Sequence, residues 1–460
     1  MNDPNSDPTR DEATGAADER LRSRIAVRFA CVRAATERLL EPLSDEDLRC
    51  QSMEEVSPPY WTLGHTSWFF AANLLDRHGR RPDGYRHLDY TFNSYYEGLG
   101  PRLERSRRGR VASPTNAQVR EYRRAVDAAV QRWVVECPPD ALAETAAILT
   151  IGCEHEQQHQ ELLVTEILHI RGSAPDGQRI AFLDAPAALA TSRGDAAPMR
   201  AVAFGAGPTT LGYQGRPIAQ GGFCWDNELP AHPAHVGDYA LSDRLVTNRE
   251  WLAFLQDGGY RNPLLWLANG WAFAQREQLS APLYWQREGR DTFSRFTLRG
   301  QQPLDLDAPV CHVSFYEADA FARWYGLHHA DWRGARLPRE VEWEHAARRQ
   351  GFHREDSNLL HDDLSRCVFD VEAAPRQGPA LKQMAGTAWE WTLSHYEPYP
   401  GYRAFDDALA EYNGKFMDNQ RVLRGGSYAT PRSQARVAYR NFWAADTRFQ
   451  VTGLRLCADR

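Results

Sequence analysis

Apolar positions in the first 170 residues recur at helical spacing. From Leu21 onward Ile25, Phe29, Val32, Leu39 and Leu40 share one face at intervals of three, four and seven, which predicts an amphipathic helix. A second helix is predicted through Trp61, His65, Trp68 and Ala72, with Pro58-Pro59 at its entrance, where the fixed φ of proline suits a first turn. A third opens at Thr115, where Thr115 and Gln118 fit a capping box, and carries Val119, Tyr122, Val126, Val130 and Trp133 on its apolar stripe. The fourth follows Pro138-Pro139 and runs from about Asp140 to Ile170, stopping before Gly172. Four long amphipathic segments predict an up-and-down four-helix bundle over residues 20–173.

The pattern then changes. Residues 174–200 are rich in Ala, Asp, Pro and Gly with weak periodicity and read as a linker. Beyond it, glycine pairs (Gly221-Gly222, Gly258-Gly259, Gly425-Gly426) punctuate short segments, and eleven of the fourteen tryptophans lie after residue 200. Helices are predicted only at about Thr247–Gln256 and Tyr316–Tyr325, with a third after Pro338. Short strands, many turns and many indoles predict a loop-rich α+β domain over residues 201–460, held by packed aromatics and side-chain hydrogen bonds. The polar start of the chain, without an apolar stripe, reads as a disordered tail over residues 1–19.

Composition narrows the function classes. A hydrophobic content of 42% with 25% charged residues excludes a collagen-like or wholly disordered chain. The formal charge of −7, spread over both halves, argues against a nucleic-acid partner, and no run of about 18 apolar residues offers a membrane span. Eight cysteines without a CxxC pair, in a chain with no export signal at its start, read as reduced thiols of a cytoplasmic protein.

Histidines carry the candidate chemistry. His155 and His159 lie four apart on the fourth helix and project from one face, on a stripe with Ile148, Leu162 and Glu166 that points inward. His65 shares an inward stripe with Trp61 and Trp68. Buried imidazoles are costly unless each finds a partner, and a divalent ion shared by three of them is an efficient one. Three neutral imidazoles suit Zn, Fe, Cu or Ni, and three ligands leave positions open for catalysis. A zinc-protease reading competes, because His155-Glu156-Gln157-Gln158-His159 matches H-E-x-x-H, in which the glutamate is the general base. The extended form of that motif is absent, since Thr165 stands where a third histidine would be needed.

Leu63-Gly64-His65-Thr66, Phe92-Asn93-Ser94-Tyr95-Tyr96 and the run Glu154 to Leu162 together resemble the nonheme iron hercynine oxygenases, the sulfoxide synthases of ergothioneine biosynthesis. Arg336-Leu337-Pro338, Trp389-Glu390-Trp391-Thr392, Arg424-Gly425-Gly426-Ser427 and Thr452-Gly453-Leu454-Arg455-Leu456 resemble signatures of the formylglycine-generating-enzyme fold, a C-type-lectin-like domain. The resemblance implies a DinB-like four-helix bundle followed by that domain, with His65, His155 and His159 as Fe(II) ligands. It implies Gln158, Asn441, Phe442 and Trp443 as substrate contacts, and Tyr95 or Tyr96 as the tyrosine acting near the iron. The implied reaction joins a thiol donor, cysteine or γ-glutamylcysteine, to the imidazole of hercynine and oxidises the sulfur. Both steps together release the four electrons that O2 takes up, so no 2-oxoglutarate, flavin or NAD is needed, and no glycine-rich dinucleotide fingerprint is present.

Where the cysteine-using subgroup is expected to carry two phenylalanines after the asparagine, this chain has Phe442-Trp443, and an insertion-like stretch spans Leu327 to Trp332. These departures keep open a selenoneine synthase, which joins a selenosugar to hercynine. A formylglycine-generating oxidase needs a late copper-binding cysteine pair, yet after Cys367 only Cys457 follows. A noncatalytic DinB-like binding protein is the remaining alternative.

Overall fold

The structure is a computed structural model and describes residues 8–174, 182, 197–290, 292–406 and 410–460. The chain divides into two compact units, residues 1–166 with 216–223, and residues 167–215 with 224–460.

The first unit is helical. Helices α1 (Pro8–Leu40), α3 (Pro59–Phe70), α5 (Asn116–Glu136) and α6 (Pro139–Gly172) are its long elements, with short α2 (Asp45–Arg49) and α4 (Asp89–Phe92) between them. Each start has a local cause. Pro59 and Pro139 open α3 and α6, where a missing N–H costs nothing. Thr115 caps α5 and Gln118 reaches back to it, the expected reciprocal pair. The predicted stripes are inward: Ile25, Phe29, Val32, Leu39 and Leu40 of α1 and Val119, Tyr122, Val126, Val130 and Trp133 of α5 are all buried. The start of α1 departs from expectation. Residues 8–19 of the anticipated tail are helical, because Ala, Glu and Arg favour a helix even where no apolar stripe announces it. Residues 1–7 of that tail, and all of the anticipated linker except 174, 182 and 197–200, lie outside the described residues.

Two glycines set the closest approaches in the bundle. A Cβ on Gly64 would lie 2.1 Å from the Phe92 ring, and one on Gly152 would lie 2.3 Å from the Phe70 ring. Both phenylalanines are fully buried against these bare stretches of backbone, each contributing about 1.5–3 kcal/mol of apolar burial.

The second unit is built from short strands. Its largest sheet runs Asn441–Ala444, Gln420–Arg424, Trp389–His395 and Thr452–Gly453 in space, antiparallel except for the last pair. A second sheet places Tyr239–Ser242 between Ala201–Phe204 and Cys457–Asp459. Helices α7 (Asn248–Gln256), α9 (Phe315–His328) and α10 (Glu340–Gln350) fall where the pattern predicts them. Helix α8 (Ala268–Arg276) was not predicted; no side chain caps its start, and the apolar run Leu264–Leu267 before it hides its period. One core packs Trp343, Ala346 and Ala347 of α10 on Phe204, Tyr239, Leu241, Leu381, Met384 and Cys457.

Buried ion pairs tie this unit together, as expected of a domain poor in long strands. Arg455 pairs with Glu390 at 2.9 Å, Arg440 with Glu340 at 2.8 Å and Arg448 with Glu317 at 2.9 Å. Arg424 reaches both Glu344 and Glu340. The Trp389-Glu390-Trp391 segment is therefore core. All eight cysteines are free thiols.

Candidate metal centre

Helix α3 supplies His65, and α6 supplies His155 and His159 one turn apart. One nitrogen from each of the three rings lies within 4.8 Å of the other two. The rings stand steeply to one another, at 83° for His65–His155, 65° for His65–His159 and 81° for His155–His159. Nε2 of His65 is 3.1 Å from Nε2 of His155. Two imidazole nitrogens sharing one ion at bond lengths near 2.1 Å stand roughly 3.0–3.4 Å apart, so the spacing fits a metal.

Protonation also fits. His65 and His155 are enclosed completely, and burial holds both well below the ordinary histidine range, so they are neutral at physiological pH. His159 keeps some exposure but is lowered as well, by desolvation and then by Arg108. Nδ1 of His65 meets the Phe92 carbonyl at 2.7 Å. A carbonyl only accepts, so the proton sits on Nδ1 and the Nε2 lone pair faces the other histidines. Among the described residues, Nδ1 of His159 is buried with no hydrogen-bond partner. Around the cluster the walls are aromatic: His65 lies between Trp61 at 4.6 Å and Trp68 at 5.8 Å, both nearly parallel to it, and Phe69 lies 4.6 Å from His155.

Glu156 faces elsewhere. It is fully buried, with Oε1 accepting from the Thr36 hydroxyl at 2.6 Å and Arg123 at 2.8 Å, and Oε2 accepting from Arg33 at 2.8 Å. Arg33 and Arg123 hold the carboxyl down to about 2 despite its burial. A carboxylate saturated by two guanidinium groups cannot serve as a general base at the histidines, which removes the protease reading of H-E-x-x-H.

The tyrosine loop starts at the carbonyl that orients His65. Asn93 clamps it, donating to the Tyr96 carbonyl at 2.9 Å and the Gly100 carbonyl at 3.1 Å and accepting from the Tyr96 N–H at 3.0 Å. Tyr96 is fully buried, 5.5 Å from Trp68, with Tyr95 stacked on it at 4.7 Å and half-buried. Gln158 is half-buried between the two α6 histidines.

In the second unit, Asn441, Phe442 and Trp443 occupy an edge strand and are half-buried. The Asn441 side-chain Oδ1 accepts from the Phe442 N–H at 2.8 Å. Phe442 stacks on Tyr396 at 3.9 Å and lies 6.0 Å from the Phe416 ring. Trp443 meets Phe449 edge-on at 5.1 Å, and its indole N–H is buried without a partner among the described residues.

One residue escaped the sequence reading. Arg108 stands in the run Arg105-Ser106-Arg107-Arg108-Gly109-Arg110, which reads as a solvated charge cluster. The structure buries it, with its guanidinium 3.6 Å from the Trp61 ring centre and donating to the Ser57 hydroxyl at 2.8 Å. Burial, with Arg105 and Arg102 near, pulls this guanidinium down to about 8. Charge runs give no local sign of which member turns inward.

Residues 28–163 match the DinB superfamily, and residues 192–460 match the sulfatase-modifying factor enzyme 1-like domain. The hercynine oxygenase of Mycobacterium tuberculosis is 32% identical over 458 residues, covering 95% of this chain and 98% of that protein. This chain belongs to the hercynine oxygenase family. The hercynine oxygenase of Mycolicibacterium thermoresistibile is also 32% identical, over 95% of both chains. The formylglycine-generating enzyme of Streptomyces coelicolor is 27% identical over 52% of this chain, a likeness to part of it only. This family member is an oxygenase built from a DinB-like helical region and a formylglycine-generating-enzyme-like domain. Among the described residues no helix is long and apolar enough to cross a membrane.

Proposed function

We propose that this hercynine oxygenase-family chain joins an amino-acid thiol to the imidazole C2 of hercynine and forms the sulfoxide, with O2 as co-substrate and Fe(II) held by His65, His155 and His159. The convergence of three neutral imidazole nitrogens within 4.8 Å supports this reading most directly. The overall change balances as thiol plus imidazole C–H plus O2 giving the C–S(O) product and water. Bound Fe(II) would supply thiolate ligation and O2 reduction.

The chain's own residues do the rest. The Phe92 carbonyl fixes the tautomer of His65, and Trp61, Trp68 and Phe69 exclude water from the histidines. A tyrosine of the Asn93-clamped loop, Tyr95 or Tyr96, holds the proton delivered as the sulfur is oxidised. Gln158, Asn441, Phe442 and Trp443 are assigned to hercynine on family resemblance; the unpartnered indole N–H of Trp443 supports its share of that role. Arg108, a buried cation without an ion-pair partner among the described residues, favours a donor bearing a carboxylate over an uncharged selenosugar. Eight free thiols and a ferrous site suit the reducing cytoplasm.

The test is a mass-spectrometric product assay in air with Fe(II), hercynine and each donor in turn. Sulfoxide from cysteine or γ-glutamylcysteine is expected. A product from the selenosugar alone would assign the chain to selenoneine synthesis, and no product from any donor despite bound iron would leave a binding protein. His159→Ala is expected to abolish iron retention, read as metal content after desalting; full retention removes His159 from the ligand set.

A further inference from the structure

Two turns beyond His159 on the same face of α6, Glu166 is 2% exposed. Among the described residues, its Oε1 accepts only the Ser57 backbone N–H, at 3.4 Å, and its Oε2 has no hydrogen-bond partner. Ser57 is also where Arg108 anchors, through the hydroxyl at 2.8 Å, and Nε of Arg108 is likewise buried without a partner. Acid and guanidinium thus flank one residue, each feeling the other's charge. No ion pair joins them among the described residues.

Leaving a buried carboxyl oxygen and a buried guanidinium N–H unsatisfied costs roughly 1–3 kcal/mol for each neutral group and more for a charged one. A ligand that brings a cation to one and an anion to the other relieves both costs. Resting on the proposed coupling reaction, we infer that Glu166 is a donor-specificity residue: its Oε2 accepts the α-ammonium of the amino-acid thiol while Arg108 takes the carboxylate. The pair reads a zwitterion, which a sugar or a simple mercapto acid does not offer.

Steady-state kinetics of the iron-loaded full chain with hercynine test this with three donors: cysteine, 3-mercaptopropionate without the ammonium, and cysteamine without the carboxylate. Glu166→Gln should raise KM for cysteine and cysteamine at least tenfold, leave kcat within twofold, and leave KM for 3-mercaptopropionate unchanged. An equal effect on all three donors, or none on any, overturns the assignment. Should Glu166→Gln not fold, Glu166→Met gives the same comparison. A second readout does not need turnover. Cysteine should raise the melting temperature of the metal-free wild-type chain more than 3-mercaptopropionate does, and the variant should lose that difference. If no donor is coupled to hercynine but the melting difference holds, the coupling reaction fails and the zwitterion site stands. If coupling occurs and the difference is missing in the wild type, the reverse is true.

Discussion

Replacing Glu156 by glutamine separates a structural carboxylate from a catalytic one. The wild-type side chain is fully enclosed and accepts from Arg33, Arg123 and Thr36. Removing one partner from a buried ion pair costs about 3–5 kcal/mol. Here each arginine keeps a second carboxylate, Asp127 at 2.7 Å for Arg33 and Glu37 at 3.0 Å for Arg123, which places the loss near the lower end, about 3 kcal/mol. The same figure follows from the carboxyl itself: held at about 2 rather than 4.5, it favours its charged form by roughly 3 kcal/mol. In a domain of this size that lowers the melting temperature by roughly 6–12 °C. Differential scanning calorimetry of the full metal-free chain reads the shift, and metal analysis at 10 °C below the new midpoint should show iron still bound and turnover retained. Unchanged melting together with lost turnover would refute the reasoning, because that is how a general base at the metal behaves.

Other perturbations follow from particular contacts. Gly64→Ala places a methyl 2.1 Å from the Phe92 ring, and should cost about 1–3 kcal/mol and weaken iron retention by moving the carbonyl that orients His65; melting and metal content check both. Glu390→Gln leaves Arg455 buried without its charge partner, and should destabilise the second unit by about 3–5 kcal/mol while the metal content of the folded chain stays at the wild-type value. Burial raises the Glu166 carboxyl from 4.5 to about 8. The native chain therefore binds a proton that the unfolded chain has released between those values, and the stability present below about pH 4.5 is lost as pH climbs through 8. Comparing metal-free melting curves from pH 5 to 9, Glu166→Gln should remove up to about 4 kcal/mol of that loss; parallel curves for the two proteins contradict the shift.

Most of the bundle was legible because its signal is local. The stripe from Ile25 to Leu40, the Thr115–Gln118 box and the prolines before α3 and α6 each specify structure within a few residues, and all appear as read. The metal candidates were legible for the same reason: a four-residue interval puts His155 and His159 on one face of any helix. Where the signal is long-range, reading stopped. Arg108 turns inward through Ser57 and Trp61, which lie about fifty residues away along the chain, and nothing in its own neighbourhood distinguishes it from Arg107 or Arg110. In the second unit, the apolar run Leu264–Leu267 ahead of α8 hides that helix's period, and the ion pairs join residues more than sixty positions apart, such as Arg455 and Glu390.

The segment His155-Glu156-Gln157-Gln158-His159 shows where local reading ends. Helical geometry turns Glu156 about 100° from His155, an angle compatible with a glutamate beside the metal as well as with one facing away from it. Position in the segment therefore cannot choose between protease and oxygenase. The choice is made by Arg33 of α1 and Arg123 of α5, whose guanidinium groups occupy both oxygens of the carboxylate. A catalytic motif is specified by its own residues only in geometry; its chemistry depends on which distant charges the fold brings to it. Here two arginines with no place in the motif take its base out of reach, while three histidines from two helices converge within 4.8 Å.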